Sequence, residues 1–223
     1  MKTLKAWTRR ESLAEAVGTF CLVFAGTGAI VVNAVSGGVI THLGIAFVFG
    51  AVVAALIYAL GPISGGHFNP AVTLALWTLG QCPRERVLPF ISMQLLGAIL
   101  ASCAVRLCFG QAAHLGATLP LKGNWSQALL VELLLTFILM LVICGSALHP
   151  KAAKDMAGLA IGLTVGLEAA FGGPISGASM NPARSFGPAL VAGAWEAHWV
   201  YWLAPVLGAL LAAHFWKSLQ MGD

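Results

Sequence analysis

The chain has 223 residues, 59% of them apolar and only 9% charged, with a mean hydropathy of +0.88. Soluble domains carry roughly 25% charged residues, so this composition excludes a soluble globule and points to lipid. The net charge of +4 is thinly spread, which reads as membrane topology and not as nucleic-acid binding.

Residues 1–10 carry Lys2, Lys5, Arg9 and Arg10. A basic start before an apolar run has the form of a signal peptide. Here the apolar character continues past Ala34 and five more spans follow, so the first span is read as retained. Spans are expected at about 12–34, 40–60, 87–109, 127–148, 157–173 and 197–217. Arg84, Arg86, Lys151, Lys154 and Lys217 fall on the side of the N-terminus, whereas Arg106 and Lys122 fall on the other. By the bias of basic residues toward the cytoplasm, both termini are expected to be cytoplasmic.

Between the second and third spans the chain reads GPISGGHFNPA (61–71), and after the fifth span it reads GPISGASMNPA (173–183). The two asparagines, Asn69 and Asn181, are 112 residues apart (181 − 69), and the shared GPISG keeps the same offset. This is an internal duplication, and it governs the whole fold. It divides a single domain (1–223) into repeats of about 1–110 and 120–223. Asparagine is a favoured helix N-cap and proline fits the first helical position. Each unit is therefore expected to be an extended Gly-rich loop that turns into a helix at Asn-Pro-Ala (Asn69, Pro70, Ala71; Asn181, Pro182, Ala183). The apolar runs that follow are about 8 to 10 residues, or ~12–15 Å of helix, half of a ~30 Å bilayer core. Three spans per repeat reverse the orientation of the second copy. The half-helices then enter from opposite sides and meet by their N-termini near the midplane. Glu15-x-x-x-Thr19-Phe20 is echoed by Glu132-x-x-x-Thr136-Phe137, and Leu96-Gly97-Ala98 by Leu207-Gly208-Ala209.

Six spans, two Asn-Pro-Ala half-helices with these flanks and the paired Glu-x-x-x-Thr-Phe resemble the aquaporin (major intrinsic protein) family over nearly the whole chain, with the sequence read as a bacterial-type member. GASMNPARSFGPA resembles the nodulin-like branch, known for small neutral solutes. The resemblance implies an all-α membrane fold of six transmembrane helices plus two re-entrant half-helices in an inverted repeat. It also implies a homotetramer with one pore per subunit and, for this chain, a bacterial inner (plasma) membrane.

The pore chemistry can be read residue by residue. Asn69 and Asn181 can each cap a helix through the side-chain oxygen and keep the NH₂ free to donate into the pore. The helix N-termini add roughly half a positive charge each, a field opposed to cations. Carbonyls of Gly65, Gly66 and His67, and of Gly177, Ala178 and Ser179, would form a ladder of acceptors. His67 resembles the family's cytoplasmic pore histidine. Arg184 is an intramembrane charge and so a functional candidate by default; it resembles the arginine of the family's outer constriction. The other constriction positions fall on Phe49, Ala169 and Ala178. Strict water channels carry a histidine and a small polar or cysteine residue where this chain has the two alanines, so the filter reads wide. Ser185, Ala189 and Tyr201-Trp202 are instead of the water-channel type. Glu15 and Glu132 are symmetrically placed to brace the half-helix loops. Glu168 can bond loop amides, pair with Arg184 or be protonated, with loop bracing the favoured role.

The functional expectation is a passive channel for water and small uncharged solutes such as glycerol, urea or metalloid acids, excluding ions and protons. A strict water channel is the alternative, and an inverted-repeat secondary transporter is a more distant one. An intramembrane hydrolase using Ser176 or Ser179 lacks a histidine in the same repeat unit as base, so no enzyme is expected. The five cysteines (Cys21, Cys82, Cys103, Cys108, Cys144) have no ligand spacing and read as small buried hydrophobes. No metal, cofactor or nucleic-acid partner is expected.

Overall fold

The computed structural model describes residues 2–220, with side chains from Arg9 onward. The side chains of Lys2 and Lys5, counted above among the N-terminal basic residues, lie outside the described residues. Among the described residues the regular structure is all helical: α1 (Lys2–Val35), α2 (Thr41–Ser64), α3 (Pro70–Thr78), α4 (Arg84–Phe109), α5 (Trp125–Ile143), α6 (Ala157–Ser176), α7 (Pro182–Ala192) and α8 (Val200–Gln220), with short 3₁₀ and π turns between. Five stretches are long and apolar enough to cross a membrane: Arg9–Val35, Thr41–Ser64, Arg84–Phe109, Trp125–Leu148 and Lys154–Ser176. The sixth long helix, α8, has 21 residues and carries Tyr201, Trp202, Pro205, His214 and Lys217.

The two short helices α3 and α7 have 9 and 11 residues. Each packs chiefly on the last span of the opposite half, α3 on α8 and α7 on α4. The long helices pair as α1 with α4, α5 with α8, and α2 with α6. This interlocked inverted repeat leaves the N-termini of α3 and α7 facing one another in the interior.

One local expectation needs correction. The GPIS tetrapeptides are not extended approach loops. They form the last turn of α2 and of α6, which continue through Pro62 and Pro174 to Ser64 and Ser176. The helices end because Gly65 and Gly177 adopt the left-handed conformation, φ 97 and 87. Glycine reaches that region without a Cβ penalty and closes the helix end. The connecting loops are thus only Gly65–Phe68 and Gly177–Met180. They too are not uniformly extended, because Gly66, Phe68, Ala178 and Met180 also have positive φ.

Candidate pore and constriction

The two loops are built alike, and each hangs on one buried carboxylate. Glu15 accepts Ser64 Oγ at 2.6 Å, His67 N at 3.0 Å and Phe68 N at 2.6 Å. Glu132 accepts Ser176 Oγ at 2.7 Å, Ser179 N at 2.8 Å and Met180 N at 2.8 Å. Drawing the amides to the carboxylates turns the opposite side of the backbone inward. Among the described residues, no hydrogen bond ends on the carbonyls of Gly65, Gly66, His67, Gly177, Ala178 or Ser179.

Each loop ends at its asparagine. Asn69 Oδ1 accepts Ala71 N at 2.9 Å; Asn181 Oδ1 accepts Ala183 N at 3.0 Å and Arg184 N at 3.3 Å. Pro70 and Pro182 follow as first helical residues, and Ala71 and Ala183 are fully buried behind them. The side-chain NH₂ groups are not wholly free, contrary to the expectation from sequence. Asn69 Nδ2 donates to Met180 O at 2.7 Å, and Asn181 Nδ2 donates to Phe68 O at 2.8 Å. Each asparagine therefore ties down the residue that precedes the other. One N–H of each NH₂ is used in this reciprocal clasp, and the second remains for the cavity that both residues line.

That cavity has a volume of about 140 Å³ and runs past His67, Asn69 and Asn181 toward Ala147, Leu148 and Ala157. A second one, about 370 Å³, opens at the other end beside His42, Ala117 and Leu119. The residues that line both are Phe49, Ala169, Ala178 and Arg184. The four positions carried over as a constriction thus form the boundary between the two chambers.

Arg184 is 2% exposed and sits at a helix N-terminus, where a cation is disfavoured by the dipole. Two contacts offset this. Its Nη1 donates to Gly116 O at 2.7 Å, and its guanidinium lies 4.9 Å from the Phe49 ring centroid, within cation–π range. The Gly116 carbonyl is delivered by a left-handed turn in which Ala113, His114, Leu115 and Gly116 have φ of 48, 47, 54 and 69. Three of these are not glycine, a conformation disfavoured by roughly 1–2 kcal/mol per residue. Complete burial of Leu115 against Val31 and Val105 helps hold it.

Glu168 departs from its expected role. It is 1% exposed, yet among the described residues neither carboxylate oxygen has a hydrogen-bond partner. It bonds no loop amide and forms no ion pair with Arg184, because Glu132 already takes the amides of Ser179 and Met180 and the guanidinium turns to Gly116.

Several contacts of the site were not read from the sequence, some of them at residues named there for other reasons, such as Tyr201 and Ser185. Thr73 and Gln94 join the Glu15 loop: Gln94 Nε2 donates to Glu15 Oε2 at 2.7 Å and to Thr73 Oγ1 at 3.0 Å. Tyr201 donates to Ser176 O at 2.8 Å, and Thr118 to Ser185 Oγ at 2.7 Å. His42, in the outer chamber, meets the Ala170 carbonyl at 2.7 Å through Nε2. A carbonyl only accepts, so this nitrogen carries a proton. The apolar wall of the inner chamber includes Val53 and Ile57, and Ile161 and Val165. Their spacing of four from Phe49 and Ala169 marks one face of a helix, a pattern present in the sequence.

A profile of the major intrinsic protein family matches residues 2–216. The protein from Zea mays named aquaporin NIP1-1 is 49% identical over 212 residues, covering 95% of this chain and 75% of its own length. Nodulin-26 of Glycine max is 48% identical over 215 residues, with 96% and 79% covered. An X-ray structure of the aquaglyceroporin from Plasmodium falciparum superposes with a TM-score of 0.81 at 24% identity, covering 96% of this chain and 97% of that one; at that identity it speaks for the fold alone. The two sequence relatives are plant proteins, so they lend no support to a bacterial inner membrane. With two chambers joined at four residues, paired capped half-helices and matches over nearly its full length, the chain belongs to the major intrinsic protein family and is an integral membrane channel of the aquaporin type.

Proposed function

We propose that the chain is a passive pore for water and small uncharged solutes, of the size of glycerol, urea or an undissociated metalloid acid. The observation that carries this reading is the boundary between the chambers: a ring, a guanidinium and two alanine methyls. Phe49 and Arg184 supply an apolar wall and a donor, and Ala169 and Ala178 leave the width that a histidine and a hydroxyl would take up. Solutes with both a CH face and hydroxyls suit such a wall. The printed name of the Zea mays relative, aquaporin NIP1-1, agrees with a water-conducting pore.

Ion exclusion follows from Arg184 and from the two helix N-termini, each equivalent to roughly half a positive charge. No group at the boundary replaces a cation's hydration shell. Asn69 and Asn181 orient the passing molecule through their remaining N–H groups, and the unpaired loop carbonyls accept its hydrogens. Glu15 and Glu132 hold the loops. We further propose one channel domain with repeats of about 1–110 and 120–223, both termini cytoplasmic, and a homotetramer with a pore in each subunit. No chemical step is assigned.

The test is stopped-flow light scattering on proteoliposomes. Rapid shrinkage in sucrose and rapid re-swelling in glycerol are expected, without saturation and without dependence on an ion gradient. Saturation with gradient dependence would overturn the channel in favour of a transporter. Shrinkage without re-swelling would leave a strict water channel. Arg184→Ala should loosen solute and ion exclusion, and unchanged exclusion would remove its assigned role.

A further inference from the structure

His67 lines the inner chamber next to Asn69. Its ring stands edge-on to Phe90, with centroids 5.2 Å apart. Its Nδ1 lies 3.0 Å from Thr73 Oγ1. A neutral imidazole can donate or accept there, so the distance alone leaves the direction open.

The surroundings of Thr73 close it. The Thr73 hydroxyl lies 2.9 Å from the carbonyl of Asn69, which can only accept, so the single hydroxyl proton goes there. Gln94 approaches both Glu15 Oε2, at 2.7 Å, and Thr73 Oγ1, at 3.0 Å, with one amide atom. Were that atom the oxygen, it would face a carboxylate oxygen, acceptor against acceptor. It is therefore the nitrogen, and its two hydrogens serve the two contacts. Thr73 Oγ1 has then given its proton and received one hydrogen bond. Its remaining lone pair faces His67 Nδ1, which must supply a hydrogen.

We infer that Thr73, oriented by Gln94 and Glu15, fixes His67 as the Nδ1–H tautomer and presents a bare Nε2 to the pore as a hydrogen-bond acceptor. Among the described residues no protein group bonds to Nε2. With the carbonyls of Gly65 and Gly66 beside it, the pore just inside the asparagines offers acceptors only. This stretch then selects for molecules that donate O–H or N–H: water, polyols, amides and undissociated hydroxy acids. Thr73 is a positioning residue in this scheme, since it acts through the imidazole. The selective role rests on the channel reading above; the tautomer does not.

The test uses full-length protein in lipid bilayers with ¹⁵N-labelled histidine, the His67 signals being identified by their loss in His67→Gln. The neutral ring is expected to show a proton on Nδ1 and none on Nε2. Valine matches threonine in shape, so Thr73→Val removes the acceptor with little change in packing. It should move the proton to Nε2 in at least part of the molecules, and Thr73→Ser should restore the parent pattern. Water flux should fall roughly fivefold in Thr73→Val, the effect of one hydrogen bond lost or reversed, and recover in Thr73→Ser. A proton on Nε2 in the parent, or a tautomer unmoved in Thr73→Val, would overturn the assignment. An Nδ1–H parent that accelerates no water flux would overturn the selective role while leaving the tautomer standing.

Discussion

Among the described residues three carboxylates, Glu15, Glu132 and Glu168, are 1% exposed or less, and their surroundings differ. Glu15 and Glu132 each receive a hydroxyl and two backbone amides, whereas Glu168 receives no hydrogen bond among the described residues. Removing a partner from buried donors costs about 1–3 kcal/mol per group, whereas exchanging an unpartnered buried polar group for an apolar one of similar size is neutral or stabilising. Glu132→Leu should therefore destabilise the protein by roughly 3 kcal/mol or more, and Glu168→Leu should leave the thermal midpoint unchanged or raise it. Thermal unfolding followed by size-exclusion chromatography in detergent checks both. A large loss in Glu168→Leu would mean that its carboxyl has a partner after all. The distinction was half legible in the sequence. Glu15 and Glu132 stand in the same Glu-x-x-x-Thr-Phe setting, which marks a shared role. The residue 112 positions before Glu168 is Leu56, so Glu168 has no partner in the duplication. Which groups already satisfy the second loop is a matter of three-dimensional competition, and no linear pattern contains it.

At the level of elements, close helix crossings are set by glycine. A Cβ on Gly97 of α4 would lie 2.2 Å from the Ala16 carbonyl oxygen of α1, and one on Gly208 of α8 would lie 2.3 Å from the Leu133 carbonyl oxygen of α5. These are the two copies of the Leu-Gly-Ala echo, and each joins the first and last spans of its own half. Backbone faces backbone at both points, so the strain has no flexible side chain to absorb it. Gly97→Ala and Gly208→Ala should each cost about 1–3 kcal/mol or more and lower the yield of folded protein. Gly28→Ala is the control, because a Cβ there meets Phe109 Cε2 at 3.6 Å and Val105 Cγ2 at 3.9 Å, both ordinary contacts. Equal thermal midpoints for all three would remove the argument. Helix existence and order were legible from apolar run length, and the half-helices from Asn-Pro. The ends of α2 and α6 were not, since proline usually marks a break. Pro62 and Pro174 instead sit in the final turn, and the chain stops at the left-handed glycine three residues on.

For the whole molecule, the open question from sequence is a conflict between a wide filter and water-type markers at Ser185, Ala189, Tyr201 and Trp202. Their positions resolve it, since none of these four lines either chamber. Ser185 bonds Thr118 and Ser179 behind the half-helix, Ala189 is buried in α7, and Tyr201 anchors Ser176. Trp202 donates to His198 Nε2 at 3.2 Å. Ser185 and Tyr201 thus support the second loop, and all four stand outside the chamber walls. The proposed constriction is the set of four boundary residues that line both chambers, of which Ala169 and Ala178 contribute only methyl groups. Restoring bulk there should convert the pore, although threonine at position 178, where φ is 41, adds strain to the loop. In Ala169→His combined with Ala178→Thr, the imidazole and hydroxyl would face Phe49 and Arg184 across the boundary and occupy the space a CH-bearing solute needs. Glycerol flux should fall at least roughly tenfold, equivalent to about 1.4 kcal/mol at the barrier, whereas water flux should change far less. Stopped-flow light scattering on proteoliposomes reads both from one preparation, with sucrose for water and glycerol for re-swelling. Glycerol flux equal to the parent's would show that the boundary does not limit solute size and would move the search for the selective step inward, to the reach between Asn181 and His67.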